Sequence, residues 1–464
     1  MKFFSFFLFV LLFFTKSYAQ ELNKLLSDFE NREYLKHAHV GFYALYSDSN
    51  QVILDVNSEK TLIPASTQKL ITTSVALQKL GADFKFQTKI YYSGEIKDSV
   101  LHGNIVIKGG GDPTLGSERF NQQNFIYEWV MKIKAVGIKE IKGGIFTDIS
   151  SHSNNPIHNW IWGDIANYYG AAAYSINLFD NTQKIHFKTG NIGDTAKIVK
   201  TDPELDFINY KSEVISSNIS SDEAYVYGSP FDGNRLVKGK LPAIRNDFLV
   251  KAALPSPNKV LEQLLKMELI SLGVILHEEF FPNNSLNLIF IHESNPLKDI
   301  IYWTNQISMN LYAEAILLSL CPSNGQANYD LGVKEVETFI SSKGIDVEGI
   351  HLSDGSGLSR NNGVTAKQMV KVLQQVKSSK EFTDFYKSLP ISGESGTLRN
   401  FAKSIPGKVH AKSGYINGVR CYSGYLTTKS GREVVFSVMI NNYTCSNYQI
   451  KKDIESLLIQ LQKL

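Results

Sequence analysis

Ser66 and Lys69 stand three positions apart in the run Pro64-Ala65-Ser66-Thr67-Gln68-Lys69. On a helix this spacing puts both side chains on one face, a turn apart. A serine hydroxyl is a poor nucleophile until a base takes its proton, and a lysine whose site lowers its pKa can do so. At a helix start, unpaired backbone N–H groups would also be on hand for an oxyanion. Taken alone, the pattern equally describes a helix-capping serine beside a solvated lysine. A second pair, Ser308 and Asn310, sits in Ser308-Met309-Asn310. At a helix–loop junction, a hydroxyl and an amide could relay a proton and hold a substrate amide, or merely cap the helix. A third group is Lys412-Ser413-Gly414. On a strand, its cation and hydroxyl can bind a carboxylate, and the glycine leaves room for substrate backbone. The plainer alternative is an exposed strand edge carrying a lysine.

The three groups together, in this order, are far more specific than any one of them. Ser-x-x-Lys, Ser-x-Asn and Lys-Ser/Thr-Gly resemble the signature of penicillin-binding proteins and serine β-lactamases. Other stretches narrow the likeness. The run from Gly103 through Gly109-Gly110-Gly111-Asp112 to Leu115 is similar to a hallmark of the class C low-molecular-mass penicillin-binding proteins. So are Asp354-Gly355-Ser356-Gly357-Leu358-Ser359-Arg360, Gly393-Glu394-Ser395-Gly396-Thr397-Leu398 and the segment from Tyr169 to Asn177. The long stretch between Lys69 and Ser308 also fits that class, whose members carry insertions between the first two motifs. Two departures stand out. Ser413 replaces the family's usual Thr but keeps the hydroxyl, and Met309 stands where the family often has an acidic residue.

The resemblance implies a serine-type D-Ala-D-Ala carboxypeptidase or endopeptidase acting on peptidoglycan stem peptides. Ser66 would attack the penultimate D-Ala carbonyl, with Lys69 as base. Ser308 and Lys412 would pass the proton to the leaving amine, and Asn310 would hold the substrate amide. Lys412 and Ser413 would bind the terminal carboxylate. The N–H groups of Ser66 and of Tyr415, just after Gly414, would stabilise the oxyanion. β-Lactams would be trapped as acyl-enzymes, and no metal or cofactor is needed. Asp354, Ser356, Arg360 and Glu394 read as structural, because their glycine-rich surroundings suggest tight turns. Gly109-Gly110-Gly111-Asp112 lacks the Gly-Lys-Ser/Thr ending of a phosphate loop and reads as a turn. Two rivals use the same residues: a β-lactamase or esterase of this fold, and a non-catalytic peptidoglycan-binding protein that kept it.

Positioning these groups requires particular elements. His39 to Tyr46 and Val52 to Asn57 read as a hairpin around Ser47-Asp48-Ser49-Asn50. A helix is expected from Ser66 to Leu80, stopped by Gly81. Near the other end, Val409 to Ser413, Tyr422 to Thr427 and Glu433 to Ile440 read as strands. A last helix buries Ile450, Ile454, Leu457, Leu458, Leu461 and Leu464 on one face. Strands from both ends of the chain thus predict one antiparallel sheet flanked by helices, an α+β fold of the serine β-lactamase/DD-peptidase type with a helical lobe. The middle carries short strand-like runs such as Phe86 to Tyr92 and Asn104 to Lys108, and a helix from Asn258 to Leu272. These predict β-rich insertions. The expected domains are 20–83 with 285–464 (catalytic), 84–165 with 250–284 (inserted) and 166–249 (nested).

Residues 1–19 read as a secretory signal peptide: Met1-Lys2, an apolar run from Phe3 to Phe14, and Ser17 and Ala19 before a cut at Gln20. The run is about 12 residues, short of the roughly 20 needed to span a bilayer. No transmembrane anchor is expected after cleavage, and no cysteine follows the cut to take a lipid. The protein would be exported, into the periplasm in a double-membraned cell. Its 464 residues exceed one ordinary core. The net charge is +3, two of those charges being Lys2 and Lys16 of the leader, and no basic stripe supports nucleic-acid binding. Cys321, Cys421 and Cys445 are too few for a disulfide scaffold. Cys421 and Cys445 could pair across strand ends or remain free, and no Cys/His spacing suggests zinc.

Overall fold

The computed structural model describes residues 24–283 and 285–464, so the signal peptide and its cut lie outside the described residues. The chain divides into two compact units. One comprises residues up to 82 with 301–309 and 333–464, the other 83–300 with 310–332.

The first unit is built on a five-stranded antiparallel sheet drawn from both ends of the chain. Its order is Val409–Ile416, Val419–Thr427, Glu433–Asn441, His39–Tyr46 and Val52–Val56. The third of these is the centre of the sheet. It is covered on both faces, which is why Val434 to Ile440 is almost wholly apolar and entirely buried. On one face lies the C-terminal helix Asn447–Gln462. Its Ile450, Ile454, Leu457, Leu458 and Leu461 pack against Val434, Phe436, Val438 and Ile440. Each such apolar side chain contributes on the order of 1.5–3 kcal/mol by leaving water. On the other face lies the helix Ala366–Lys377, tied to the sheet by the Tyr425 hydroxyl, which donates to the Leu373 carbonyl. That helix opens with a reciprocal cap between Thr365 and Gln368. The predicted hairpin, the C-terminal strands and the last helix are all present, with ends no more than three residues from those expected.

Among the described residues the second unit holds two four-stranded and two three-stranded sheets. Asn287–Glu293 pairs with Gln87–Tyr92, which pairs in turn with Ile105–Lys108. The helices Phe125–Ala135 and Pro257–Ser271 pack with these strands around Trp129, Ile133, Leu261 and Leu265. A separate core of Ala166, Ile185, Phe187, Val214, Val226, Val237, Val250 and Ala252 lies between the two three-stranded sheets. The unit boundaries differ from the expected domain limits at two places. Residues 285–300 join the second unit because Asn287–Glu293 is a strand of its sheet. Residues 310–332 join it because Tyr312 bonds to Asp180 and Ser117. Neither pairing leaves a trace in local sequence pattern. Among the described residues no helix is long and apolar enough to cross a membrane.

Candidate active site

Ser66 lies on a single 3-10 turn, Ala65–Gln68, that leads directly into the helix Lys69–Leu80. It does not cap that helix: the expected helix start is a tighter turn, pinned by Thr67, whose hydroxyl donates to the Pro64 carbonyl at 2.7 Å. Ala65 sits at φ +45°, a region L-residues seldom adopt. Such a conformation persists where its surroundings over-determine it, commonly at working sites. Here the surroundings are the Asp354–Gly357 loop. A methyl on Gly357, at φ +82°, would lie 1.9 Å from the Ala65 carbonyl. Gln68 donates to the Asp354 carbonyl, and the Thr72 hydroxyl donates to that of Gly355 at 2.8 Å. The Asp354 carboxylate is occupied in holding its own turn. It accepts from the N–H groups of Gly357 and Ser359 at 2.7 and 2.6 Å and from Asn362 at 2.9 Å.

Lys69 is fully buried. Its ammonium is 2.9 Å from Ser66 Oγ and donates to the Ser356 carbonyl at 2.7 Å. The serine–lysine pair is therefore in direct contact, and Ser356 participates through its backbone. That role was not legible in advance, because a backbone carbonyl belongs to every residue.

Ser308 lies between the helices Leu297–Gln306 and Asn310–Leu318 at φ +62°. Its hydroxyl accepts from Lys412 Nζ at 2.9 Å, and Lys412 also donates to the Ser413 carbonyl at 2.7 Å. Lys412 has no exposed surface. Burial pushes its pKa well down, and the nearby charges of Lys69 and Arg420 push it further. The Ser413 hydroxyl donates to Thr397 Oγ1 at 2.8 Å. Thr397 lies in the glycine-rich run Gly393 to Leu398, and nothing in its residue type marks it as part of the site. Gly414 passes against Ser66: a methyl there would lie 2.7 Å from the Pro64 carbonyl and 3.1 Å from the Ser66 nitrogen. A side chain at 414 would thus occupy the space beside the Ser66 N–H. Tyr415 is half exposed and pairs in register with Arg420, whose guanidinium lies 5.6 Å from its ring centre.

Asn310 falls in the second unit, at the start of the helix Asn310–Leu318. Its amide donates to the Tyr169 carbonyl at 2.7 Å. Tyr312, on the same helix, donates to Asp180 at 2.5 Å and lies 3.0 Å from the Ser117 hydroxyl. Arg119 bonds the other Asp180 oxygen. Among the described residues no disulfide joins the cysteines, and burial pushes the Cys421 thiol up to about 12.

The first unit thus brings Ser66 against Lys69, Ser308 against Lys412, and Gly414 against the Ser66 nitrogen. Comparison with known proteins gives the same direction. The chain is 26% identical over 426 residues to the D-alanyl-D-alanine carboxypeptidase DacB of Haemophilus influenzae, covering 89% of this chain and 88% of that protein. It is 28% identical over 413 residues to a D-alanyl-D-alanine carboxypeptidase of an Actinomadura species, covering 82% of this chain and 74% of the relative. The crystal structure of penicillin binding protein 4 (dacB) from Haemophilus influenzae superposes with a TM-score of 0.79 at 25% identity, over 96% of this chain and 99% of that one. The D-Ala-D-Ala carboxypeptidase 3 (S13) family matches residues 19–463, and the chain belongs to that family of serine-type hydrolases.

Proposed function

We propose that Ser66 is the nucleophile of this D-Ala-D-Ala carboxypeptidase, with Lys69 as its base. The observation that carries this reading is the 2.9 Å contact between Lys69 Nζ and Ser66 Oγ inside a buried site. A lysine must be neutral to accept a proton, and this one is held in hydrogen-bond contact with the hydroxyl it would deprotonate. Lys69 takes the hydroxyl proton as Ser66 Oγ bonds to the carbonyl carbon of the penultimate D-Ala. The negative charge that forms on the carbonyl oxygen is met by the N–H groups of Ser66 and Tyr415. The C–N bond then breaks, and the terminal D-Ala leaves with a proton delivered through Ser308 and Lys412. Asn310 holds the amide of the substrate. Lys412 and Ser413 take the terminal carboxylate, and Tyr415 lines the same strand. Water adds to the ester, releasing the shortened stem peptide and restoring Ser66.

Penicillin enters the same sequence and stops at the ester, because its leaving nitrogen remains tethered to the acyl group. Peptidoglycan stem peptides are the substrate, and the exported chain meets them in the periplasm of a double-membraned cell.

Intact-mass spectrometry after incubation with benzylpenicillin tests this, wild type beside Ser66→Ala. The expected result is a stable gain of one drug molecule in the wild type alone. Drug that survives beside an unlabelled wild type would sink the reading, and rapid wild-type hydrolysis of the drug would make the protein a β-lactamase.

A further inference from the structure

Ser308 sits at φ +62°, a conformation that persists where its neighbours impose it. Two residues upstream, the helix Leu297–Gln306 ends in consecutive amides, Asn305 and Gln306. Both are buried, Asn305 wholly and Gln306 to 4% exposure. Burying an amide is costly unless it is hydrogen-bonded. Both donate to one short segment. Asn305 Nδ2 donates to the Ser388 hydroxyl at 2.8 Å. Gln306 Nε2 donates to the Leu389 carbonyl at 2.9 Å and to that of Ser388 at 3.3 Å. Asn305 Nδ2 also lies 3.4 Å from Thr73 Oγ1, and Thr73 donates to the Lys69 carbonyl at 2.6 Å. Among the described residues the Asn305 oxygen is buried without a partner, so this amide is not there for stability alone. On its other side Gln306 meets Gly396, where a methyl would lie 2.5 Å from Gln306 Oε1 and 2.6 Å from its backbone oxygen.

The segment that receives these bonds runs along the strand of Lys412. The Ala411 N–H donates to the Pro390 carbonyl at 3.0 Å, and Ile391 faces His410 across an antiparallel bridge. A ring of contacts results. It passes from Ser308 back to Gln306, across to Leu389, on to Pro390, across to Ala411 and on to Lys412, whose Nζ closes it on Ser308 Oγ at 2.9 Å. Two helix-end bonds, Ile307 N–H to the Trp303 carbonyl and Met309 N–H to that of Thr304, shape the turn around Ser308. They do not set its distance from the strand. The Gln306 amide does.

We propose that Gln306, with Asn305 beside it, is a positioning residue for protonation of the leaving group. This rests on the reading of Ser308 as the hydroxyl through which that proton passes. When the C–N bond breaks, its electron pair stays on the departing nitrogen, and the proton that Lys69 took from Ser66 must reach it. Gln306 touches none of the reacting atoms; it holds Ser308 Oγ against Lys412.

Two substrates with the same acyl group test this: a peptide ending in D-Ala-D-Ala, and its thioester analogue, in which a thiolate replaces the leaving amine. An amine must leave protonated, whereas a thiol of pKa about 8.5 leaves as its anion. Gln306→Met keeps the length of the side chain and removes the amide. Its kcat/KM for the peptide should fall about 10²-fold, the scale of a small misplacement, and that for the thioester by less than about threefold. Ser308→Ala should show the same bias, at least as large. Equal losses on both substrates, or none on either, would leave Gln306 a stabiliser of the fold and overturn the proposal. If Ser308→Ala is biased and Gln306→Met is not, the proposal alone fails. If neither is biased, the proton route through Ser308 fails and takes the proposal with it. Should Gln306→Met not fold, Ser388→Ala decides, because it removes the hydroxyl that accepts from Asn305. A bias of about three- to tenfold there supports the anchor, and equal losses overturn it.

Discussion

Lys412 in the first unit and Asp112 in the second are both fully buried titratable groups, and in each burial favours the neutral form. Lys412 is driven well down, and Asp112 is pushed up to about 6 from an ordinary 3.8. Their partners differ. Lys412 reaches across 104 positions of sequence to the Ser308 hydroxyl. Asp112 turns back on its own loop, with one oxygen accepting the Thr114 N–H and hydroxyl at 2.8 and 2.7 Å and the other buried without a partner. The same desolvation is thus used in two ways. A long-range contact joins two of the motifs proposed to do the chemistry, whereas a local contact shapes a turn. The first should register in rate and the second in stability.

Gly414→Ala tests the rate side and carries the largest expected effect. Its methyl crowds the Ser66 nitrogen, so the oxyanion loses room and a donor. Acylation by benzylpenicillin should slow by ~10²–10³-fold, measured by stopped-flow or quenched labelling. A near-wild-type rate would remove the Ser66 N–H from the mechanism.

Asp112→Asn tests the stability side. The folded pKa of Asp112 lies above its unfolded value, so its favourable contribution is complete below about 3.8 and is lost as pH rises through about 6. At pH 8 the wild type carries a buried charge, and the asparagine variant should be more stable by ~1–3 kcal/mol. Near pH 4 the advantage should vanish. Denaturant unfolding at the two pH values measures the difference, and a pH-independent effect would contradict the assignment. Penicillin labelling should be unaltered, or the division between the two buried groups fails.

Thr397→Val has the smallest effect and sharpens the comparison within the first unit. It removes the partner of the Ser413 hydroxyl while Lys412 stays in place. KM for a D-Ala-D-Ala peptide should rise about three- to tenfold with kcat little changed, and Thr397→Ser should restore it. A loss confined to kcat would show that Thr397 acts on the reacting atoms instead of positioning Ser413.

Local pattern carried much of this protein. Apolar periodicity located the terminal helix, and the alternation and turn residues around Ser47 to Asn50 located the hairpin, because both are short-range consequences of backbone geometry. Residue type and spacing nominated Ser66, Lys69, Ser308, Lys412 and Ser413, since few side chains can perform acyl transfer and three such groups in order are hard to produce by chance. Tertiary structure decided what depends on distant segments meeting. It turned the expected helix start at Ser66 into a strained 3-10 turn by pressing Gly357 against Ala65. It made a backbone carbonyl of Ser356 and a hydroxyl of Thr397 part of the site. It drew Asn287–Glu293 and Tyr312 into the inserted unit. Pairings across hundreds of residues and burial itself are properties of the folded chain. Composition and spacing limit them, but only the closing of the fold selects one.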